Sequence, residues 1–529
     1  MNIFRVFENK SLCIVFLVSF VICFFSIYSF PIYILDEAKN SEAAREMLVG
    51  GNWIVPMFNG ELRTDKPPLH YFFMMLGYKL FGVTAMGARF FSAVFGALTL
   101  LCTYSFVEKF SSKEQGFLAW LVLASSLFFV QVFHQAVPDP YLIFFVSTGL
   151  FCFYDFYKTR NKISLILFYV LLGLGVLSKG PVAIALPGLI VGIFLWTRKE
   201  LFTKKLFHYK PILGTLLILL VAAPWFVAVH YATDGEWTQG FFFEHNFKRF
   251  GSTMEGHGGI FLLTWAFVIL GLLPFSVYVI QAFRESWRKK QESFVLFSLI
   301  VSVVFIVFFS ISSTKLPNYT MPCYPFLAAL IALYLDGVLK DSKRSKFLSW
   351  GIWALLIITV ALPIAGYFGL KSEKQLVNVN WLSGFILILT IGSILSLYFF
   401  KKKQYQKSLS SIAVSWIVFG MVLFGFIYPK LIDQNPVSLS KKYLKEGTDF
   451  VAYDRFDRAF PINYNTTIEV LPTLEKVKNY LDSVPNGIVI SNSRHRDSLL
   501  QLKDILVLLD QKALFEGNTT LLIQKKVDP

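Results

Sequence analysis

Apolar residues in this chain come in blocks of about twenty, the length of helix that crosses a hydrocarbon core about 30 Å thick. Ser11–Ile34 and Ile212–His230 are two such blocks. Backbone N–H and C=O groups in lipid must be satisfied within the segment, so these blocks are expected to be helices. The pattern repeats at approximately 11–34, 86–107, 116–134, 140–157, 162–178, 181–197, 211–230, 260–283, 292–312, 319–338, 347–369, 380–400 and 410–428. Residues 69–81 are apolar but short, which suits a re-entrant or interfacial helix. Composition agrees: 55% of the residues are hydrophobic and the mean hydropathy is +0.57, above what soluble chains reach with dispersed apolar residues.

The formal charge is +16, but its placement argues against a nucleic-acid partner. The basic residues sit mainly in alternate short loops, such as Arg198/Lys199/Lys204/Lys205/Lys210, Arg284/Arg288/Lys289/Lys290 and Lys401/Lys402/Lys403/Lys407. Arg5 and Lys10 fall on the same side. By the positive-inside rule this side is cytoplasmic. The N-terminal block has no convincing cleavage site and reads as a retained first helix, not a signal peptide. The five cysteines lie in or beside apolar blocks, with neither metal-ligand spacing nor a disulfide framework.

The remaining loops then face outward, and two of them are long, 36–85 and 231–259. Five of the seven histidines lie in or beside this set. From about residue 432 the chain changes character. Residues 487–490, 505–509 and 519–523 read as strands and 473–483 as an amphipathic helix. The expected organisation is a transmembrane domain over 1–431 and a small soluble α/β accessory domain, outside, over 432–529.

The outward loops hold the ionisable motifs. Asp36-Glu37 stands where the first block leaves the membrane, and such a carboxylate pair is costly there unless solvated or used. Asp36 as an N-cap of an interfacial helix over 38–48 is the plain alternative. Arg63-Thr64-Asp65-Lys66-Pro67-Pro68-Leu69-His70 holds a lysine rigidly between two prolines and a charged strap. That lysine either snorkels beside headgroups or faces a lipid phosphate. Asp139 lies between prolines, a plausible N-cap for the following span. Ser178-Lys179-Gly180-Pro181 reads as a structural turn. Glu244-His245 with His257 form a dense ionisable group, the set a divalent ion would use, although the spacing matches no structural zinc pattern and no cofactor is expected. Lys315 and Tyr319 flank Leu316-Pro317-Asn318. Cations on one membrane face stabilise a departing phosphate, while a carboxylate takes a proton from an attacking group.

These motifs, in this order, resemble the GT-C glycosyltransferases of the aminoarabinose transferase and protein O-mannosyltransferase-like family. The resemblance rests on Asp36-Glu37-Ala38, Ala44-Arg45-Glu46-Met47, Asn52-Trp53-Ile54-Val55-Pro56, Asn59-Gly60, Asp65-Lys66-Pro67-Pro68-Leu69, Asp139-Pro140, Glu244-His245-Asn246 with Arg249-Phe250, and Lys315-Leu316-Pro317 with Tyr319. It covers roughly residues 10–430. It implies an all-α polytopic membrane domain of the GT-C type with many spanning helices, which the apolar blocks put at about thirteen. It also implies inverting transfer of a sugar from an undecaprenyl-phosphate-like carrier to an outer-leaflet acceptor such as lipid A, a glycan or a protein. Asp36 and Asp139, with Glu37, would be the catalytic carboxylates. Lys66, Arg249, Lys315 and Tyr319 would hold the donor phosphate, and Asp65, Glu244, His245 and His257 would shape the pocket. Two departures bear on the sugar. Lys39-Asn40 stands where this family has Arg-Tyr, and Arg63 and Asp65 stand where it has an aromatic residue and Glu. A flippase for lipid-linked glycans is the alternative, though no internal repeat is seen. Asp155 and Asp336 are the carboxylates inside the proposed spans. A membrane-anchored scaffold is a third reading, one that gives the dense first loop no task.

Overall fold

The computed structural model describes residues 10–248, 258–341, 345–514 and 517–526. Among these, nine helices are long and apolar enough to cross a membrane: Ala85–Phe110, Asp139–Thr159, Lys162–Lys179, Lys204–Ala232, Ser293–Ile311, Pro317–Lys340, Lys346–Ser372, Lys374–Lys401 and Tyr405–Ile432. A tenth candidate, Phe261–Gly271 with Phe275–Arg288, is bent by 117°. Pro274 sits in that break, where a ring without an N–H interrupts the helical ladder. Ser11–Phe24 and Val182–Thr197 are apolar but shorter.

The expected span over 116–134 is two pieces, Lys113–Ala124 and Leu127–Val132. The hydroxyls of Ser125 and Ser126, between them, each donate to a carbonyl four residues back, at 2.7 Å. Such back-bonding competes with the helical ladder and weakens it. Leu69–Phe81 is a 13-residue helix. The helix expected over 38–48 runs Leu35–Val49 and is mostly buried, so it is not the half-immersed interfacial helix of the sequence reading.

What buries it is the tail. A five-stranded sheet orders its strands β4-β3-β5-β7-β6, with β3 Phe450–Tyr453, β4 Val470–Leu471, β5 Ile488–Ser491, β6 Ile505–Lys512 and β7 Thr519–Lys525. β4, β3 and β5 are parallel, and β7 runs antiparallel to both β5 and β6. One face closes over the Leu474–Ser483 helix through Val451, Val489, Leu521, Val477 and Leu481. From the other, Ile488, Ile490 and Leu522 share a core with Ala38, Ala44, Met47, Tyr71 and Met74 of the first loop.

A hairpin locks the two together. Met57–Phe58 (β1) pairs with Glu61–Leu62 (β2) across Asn59-Gly60. Both turn residues have positive φ, 53° and 76°, the geometry that makes Asn-Gly the preferred two-residue turn. Glu46 accepts both turn amides. The Asn59 side chain then bonds Ile468 in both directions, at 3.0 and 2.8 Å. The Leu514 amide donates to the Tyr33 hydroxyl, and Asn463 to the Ile32 carbonyl.

Candidate active site

Asp36 and Glu37 are neighbours with opposite surroundings. Successive helix positions point about 100° apart, and here that rotation separates the two. Glu37 is buried and takes a two-pronged ion pair from Arg89, at 2.7 and 2.9 Å, plus the Ala136 amide at 2.9 Å. The same guanidinium donates to the carbonyls of Ile27 and Phe30, so it ties the segment after the first helix to the start of the Leu35–Val49 helix. Glu37 is thus fully engaged. Its two oxygens face Arg89 and the Ala136 amide, whereas Asp36 has no such ion pair.

Asp36 is open to solvent yet surrounded by protein, which is the situation of a group lining a cleft. Burial pushes its carboxyl upward, but Lys66, Arg63, Lys179 and His70 outweigh it and hold the carboxyl below its ordinary range. Arg63, Lys66 and His70 come from the strap that enters the Leu69–Phe81 helix, and Lys179 from the end of the Lys162–Lys179 helix. Pro67 and Pro68 are buried and fix the strap 63–68 where it enters the Leu69–Phe81 helix. The buried Trp237 indole donates to the Arg63 carbonyl at 2.8 Å, so the second long loop pins the strap from above. Lys179 is the last residue of its helix, and Gly180 follows with φ 86°.

Lys179 bridges to Asp139 at 2.5 Å and lies 5.0 Å from the centre of the Tyr319 ring. The structure therefore gathers Asp36, Arg63, Lys66, His70, Lys179, Asp139 and Tyr319. Asp139 does not cap its helix; its carboxylate goes to Lys179 instead. His70 is buried, and that burial, with Arg63 and Lys66, pushes its pKa well below the ordinary histidine value, so it is neutral at pH 7. Lys315 is turned into its own loop, donating to the Ser312 carbonyl at 2.6 Å. Asp65 lies 3.4 Å from Arg63, and Glu244 is on the exposed side of the Gly240–Lys248 segment. Arg249, His257 and the His245 side chain lie outside the described residues. Among the described residues no three ligands group as they would around a metal ion.

Three participants escaped the sequence reading. Lys179 was assigned to a structural turn. Asn40 was noted only as a departure from the family pattern and Arg89 was given no role, although a lone arginine at the head of an apolar block signals a buried carboxylate partner.

The family model described as dolichyl-phosphate-mannose-protein mannosyltransferase matches residues 65–227. An undecaprenyl phosphate-alpha-4-amino-4-deoxy-L-arabinose arabinosyl transferase of Aeromonas hydrophila is 30% identical over 63% of this chain and 62% of its own length. A namesake from Pseudomonas aeruginosa is 29% identical over 68% and 66%. The crystal structure of ArnT from Cupriavidus metallidurans bound to undecaprenyl phosphate superposes with a TM-score of 0.83, covering 97% of this chain and 98% of that one at 18% identity. The chain therefore shares the fold of that crystal structure over nearly its whole length. The fold likeness extends through the tail, whereas the sequence matches span about two thirds of the curated relatives' length.

Proposed function

We propose that this protein is an inverting membrane glycosyltransferase that moves a sugar from a polyprenyl-phosphate carrier of the undecaprenyl type to an acceptor at the outer leaflet, such as lipid A, a glycan or a protein. The observation that carries the reading is Asp36, accessible and ringed by Lys66 and Arg63 of one strap and by Lys179 of a distant helix end. A cleft of that charge pattern suits a phosphate leaving group beside a carboxylate. Lys66, with Tyr319 and Arg249, binds the carrier phosphate and stabilises the charge that grows on it as the glycosidic bond breaks. The acceptor enters from the opposite face of the anomeric carbon, which inverts it. A hydroxyl acceptor loses its proton to Asp36. An ionised phosphate acceptor needs no base, and Asp36 then steadies the oxocarbenium-like charge. Lys179 holds Asp139 in place and keeps Asp36 ionised. The relatives named for undecaprenyl phosphate, and the ArnT structure bound to it, support the choice of carrier.

In this reading the membrane domain crosses about thirteen times. The broken pair Lys113–Ala124 and Leu127–Val132, the bent pair and the two shorter apolar helices complete the nine long ones. The Asp36 end, with the tail, faces the periplasm of the inner membrane. No observation favours a flippase: Asp155 and Asp336 are each paired with a lysine, Lys109 and Lys340. Purified protein given a polyprenyl-phosphate sugar and a cell-envelope acceptor extract should release free polyprenyl phosphate, and Asp36→Asn should stop the release. Undiminished turnover in that variant refutes the assignment. Glu61→Cys labelled from outside the membrane checks the orientation; protection there overturns it.

A further inference from the structure

Away from the reaction, at the end of the bundle that carries the basic loops, lies a cavity of about 620 Å³. It opens among the first helix, the Lys113–Ala124 helix and the ends of Pro317–Lys340 and Tyr405–Ile432. Its walls are mostly apolar, with Ile14, Phe117, Leu121 and Leu409 among them. Ile14 and Phe117 are 52% and 45% exposed, so on helices within a bilayer this wall meets acyl chains. Leu121 lies about two turns deeper along its helix than Lys113, so the apolar wall runs about 12 Å inward from the mouth. The Trp120 indole donates to Ser19 Oγ at 2.8 Å, which fastens this helix to the first and fixes two walls against each other.

The mouth is charged, and its charges balance. Lys113 and Lys340 stand against Glu114 and Asp336. Glu108, met by the Tyr104 hydroxyl at 3.3 Å, adds a carboxylate beside the lining. The Gln115 amide and the Lys340 ammonium both donate to Asp336 Oδ2, each at 2.8 Å. Among the described residues no donor reaches the other oxygen of Asp336, and Lys113 enters no ion pair. One acceptor and one cation are thus open at a mouth with apolar depth behind it. An amphiphile that fills the site offers an anionic group to Lys113 and an N–H donor to Asp336. A headgroup that is only anionic satisfies the lysine but brings a like charge to Glu114 and Asp336. A quaternary ammonium has the charge but no hydrogen to donate.

We infer that this groove is a phospholipid site, and that it takes a zwitterionic lipid with a primary ammonium, of the phosphatidylethanolamine type. In the proposed orientation that lipid belongs to the cytoplasmic leaflet, and the inference does not depend on the transfer reaction. The phosphate lies on Lys113, the ammonium donates to Asp336 Oδ1, and an acyl chain runs past Phe117 toward Leu121. The test uses the full-length protein, delipidated in detergent and titrated with phosphatidylethanolamine, phosphatidylcholine or phosphatidylglycerol of identical chains. Native mass spectrometry counts the lipid retained. One phosphatidylethanolamine is expected to stay bound, about 10-fold more tightly than either other lipid, the size of one hydrogen bond to a charged group. Asp336→Asn should shrink that gap to under about threefold, because the ammonium loses its charged acceptor. Lys113→Ala, at an exposed position, should weaken phosphatidylethanolamine and phosphatidylglycerol alike, by about 3- to 10-fold, and serves where the first variant fails to fold. Equal or tighter binding of either other lipid by the wild type overturns the inference, as does the absence of a retained lipid. A gap unmoved by Asp336→Asn, or binding unmoved by Lys113→Ala, overturns it as well, since the lipid then sits elsewhere.

Discussion

Both ends of the helical bundle carry acid–base pairs, and the two sets differ in how water reaches them. At the lysine-rich end, Lys109–Asp155 and Lys340–Asp336 each join a buried acid to a lysine that is 52% or 64% exposed. At the Asp36 end, Arg89–Glu37 is 0% and 3% exposed, and Lys179–Asp139 only 16% and 3%. A pair with one member in water contributes about 0–1 kcal/mol, because the charge is already solvated. A pair removed from water costs more to form and far more to break. The lysine-rich end keeps its cations in water, whereas the Asp36 end confines charges that hold one another in a fixed arrangement. Among the described residues of that set Asp36 is accessible and has no ion pair, which is why the proposed reading gives it the chemistry.

The sharpest way to break this comparison is Asp36→Asn. The account expects at least about a 1,000-fold loss of transfer with the melting temperature nearly unchanged, since proton transfer and charge stabilisation are lost together. Next is Glu37→Gln, which strands the buried Arg89 and should cost about 3–5 kcal/mol. Thermal unfolding reads it, and the paired change Glu37→Met with Arg89→Met should recover much of the loss. Lys179→Met frees Asp139 and removes one cation from Asp36; about a 10- to 100-fold fall in kcat is expected, with the carrier still bound through Lys66. Asp155→Asn should be nearly silent, within about 1 kcal/mol in stability, because its lysine stays in water.

The pH dependence follows from the same ring of cations. Asp36 has a folded pKa below its unfolded value. Its charge therefore adds stability above the unfolded value, and that stability is lost as pH falls through the folded one. The acid limb of the rate profile should lie below the ordinary carboxylate value of about 3.9, and Arg63→Gln should move it up. An acid limb near neutrality in the wild type contradicts the electrostatic account.

Much of the membrane domain was legible because a helix in lipid needs only its own segment. The blocks at 86–107 and 292–312 became Ala85–Phe110 and Ser293–Ile311 with little change. The failures were local competitions that hydropathy does not register, such as Ser125-Ser126 and Pro274. In the tail, β6 and β7 were read correctly, but β4, two residues long, was too short to stand out and β3 was missed with it. That the tail buries the first loop depends on long-range pairs such as Asn59 with Ile468, which no local pattern contains. At the site, adjacent Asp36 and Glu37 look alike in sequence. Only the path of Arg89 distinguishes them.

The most direct measurement sets Asp36→Asn beside Asp155→Asn in one assay. Both are purified at full length, shown to melt with the wild type, and followed for release of polyprenyl phosphate from a polyprenyl-phosphate sugar. Loss of release in the first with near wild-type release in the second is the expected result. Equal activity in both would contradict the claim that the chemistry belongs to the Asp36 end.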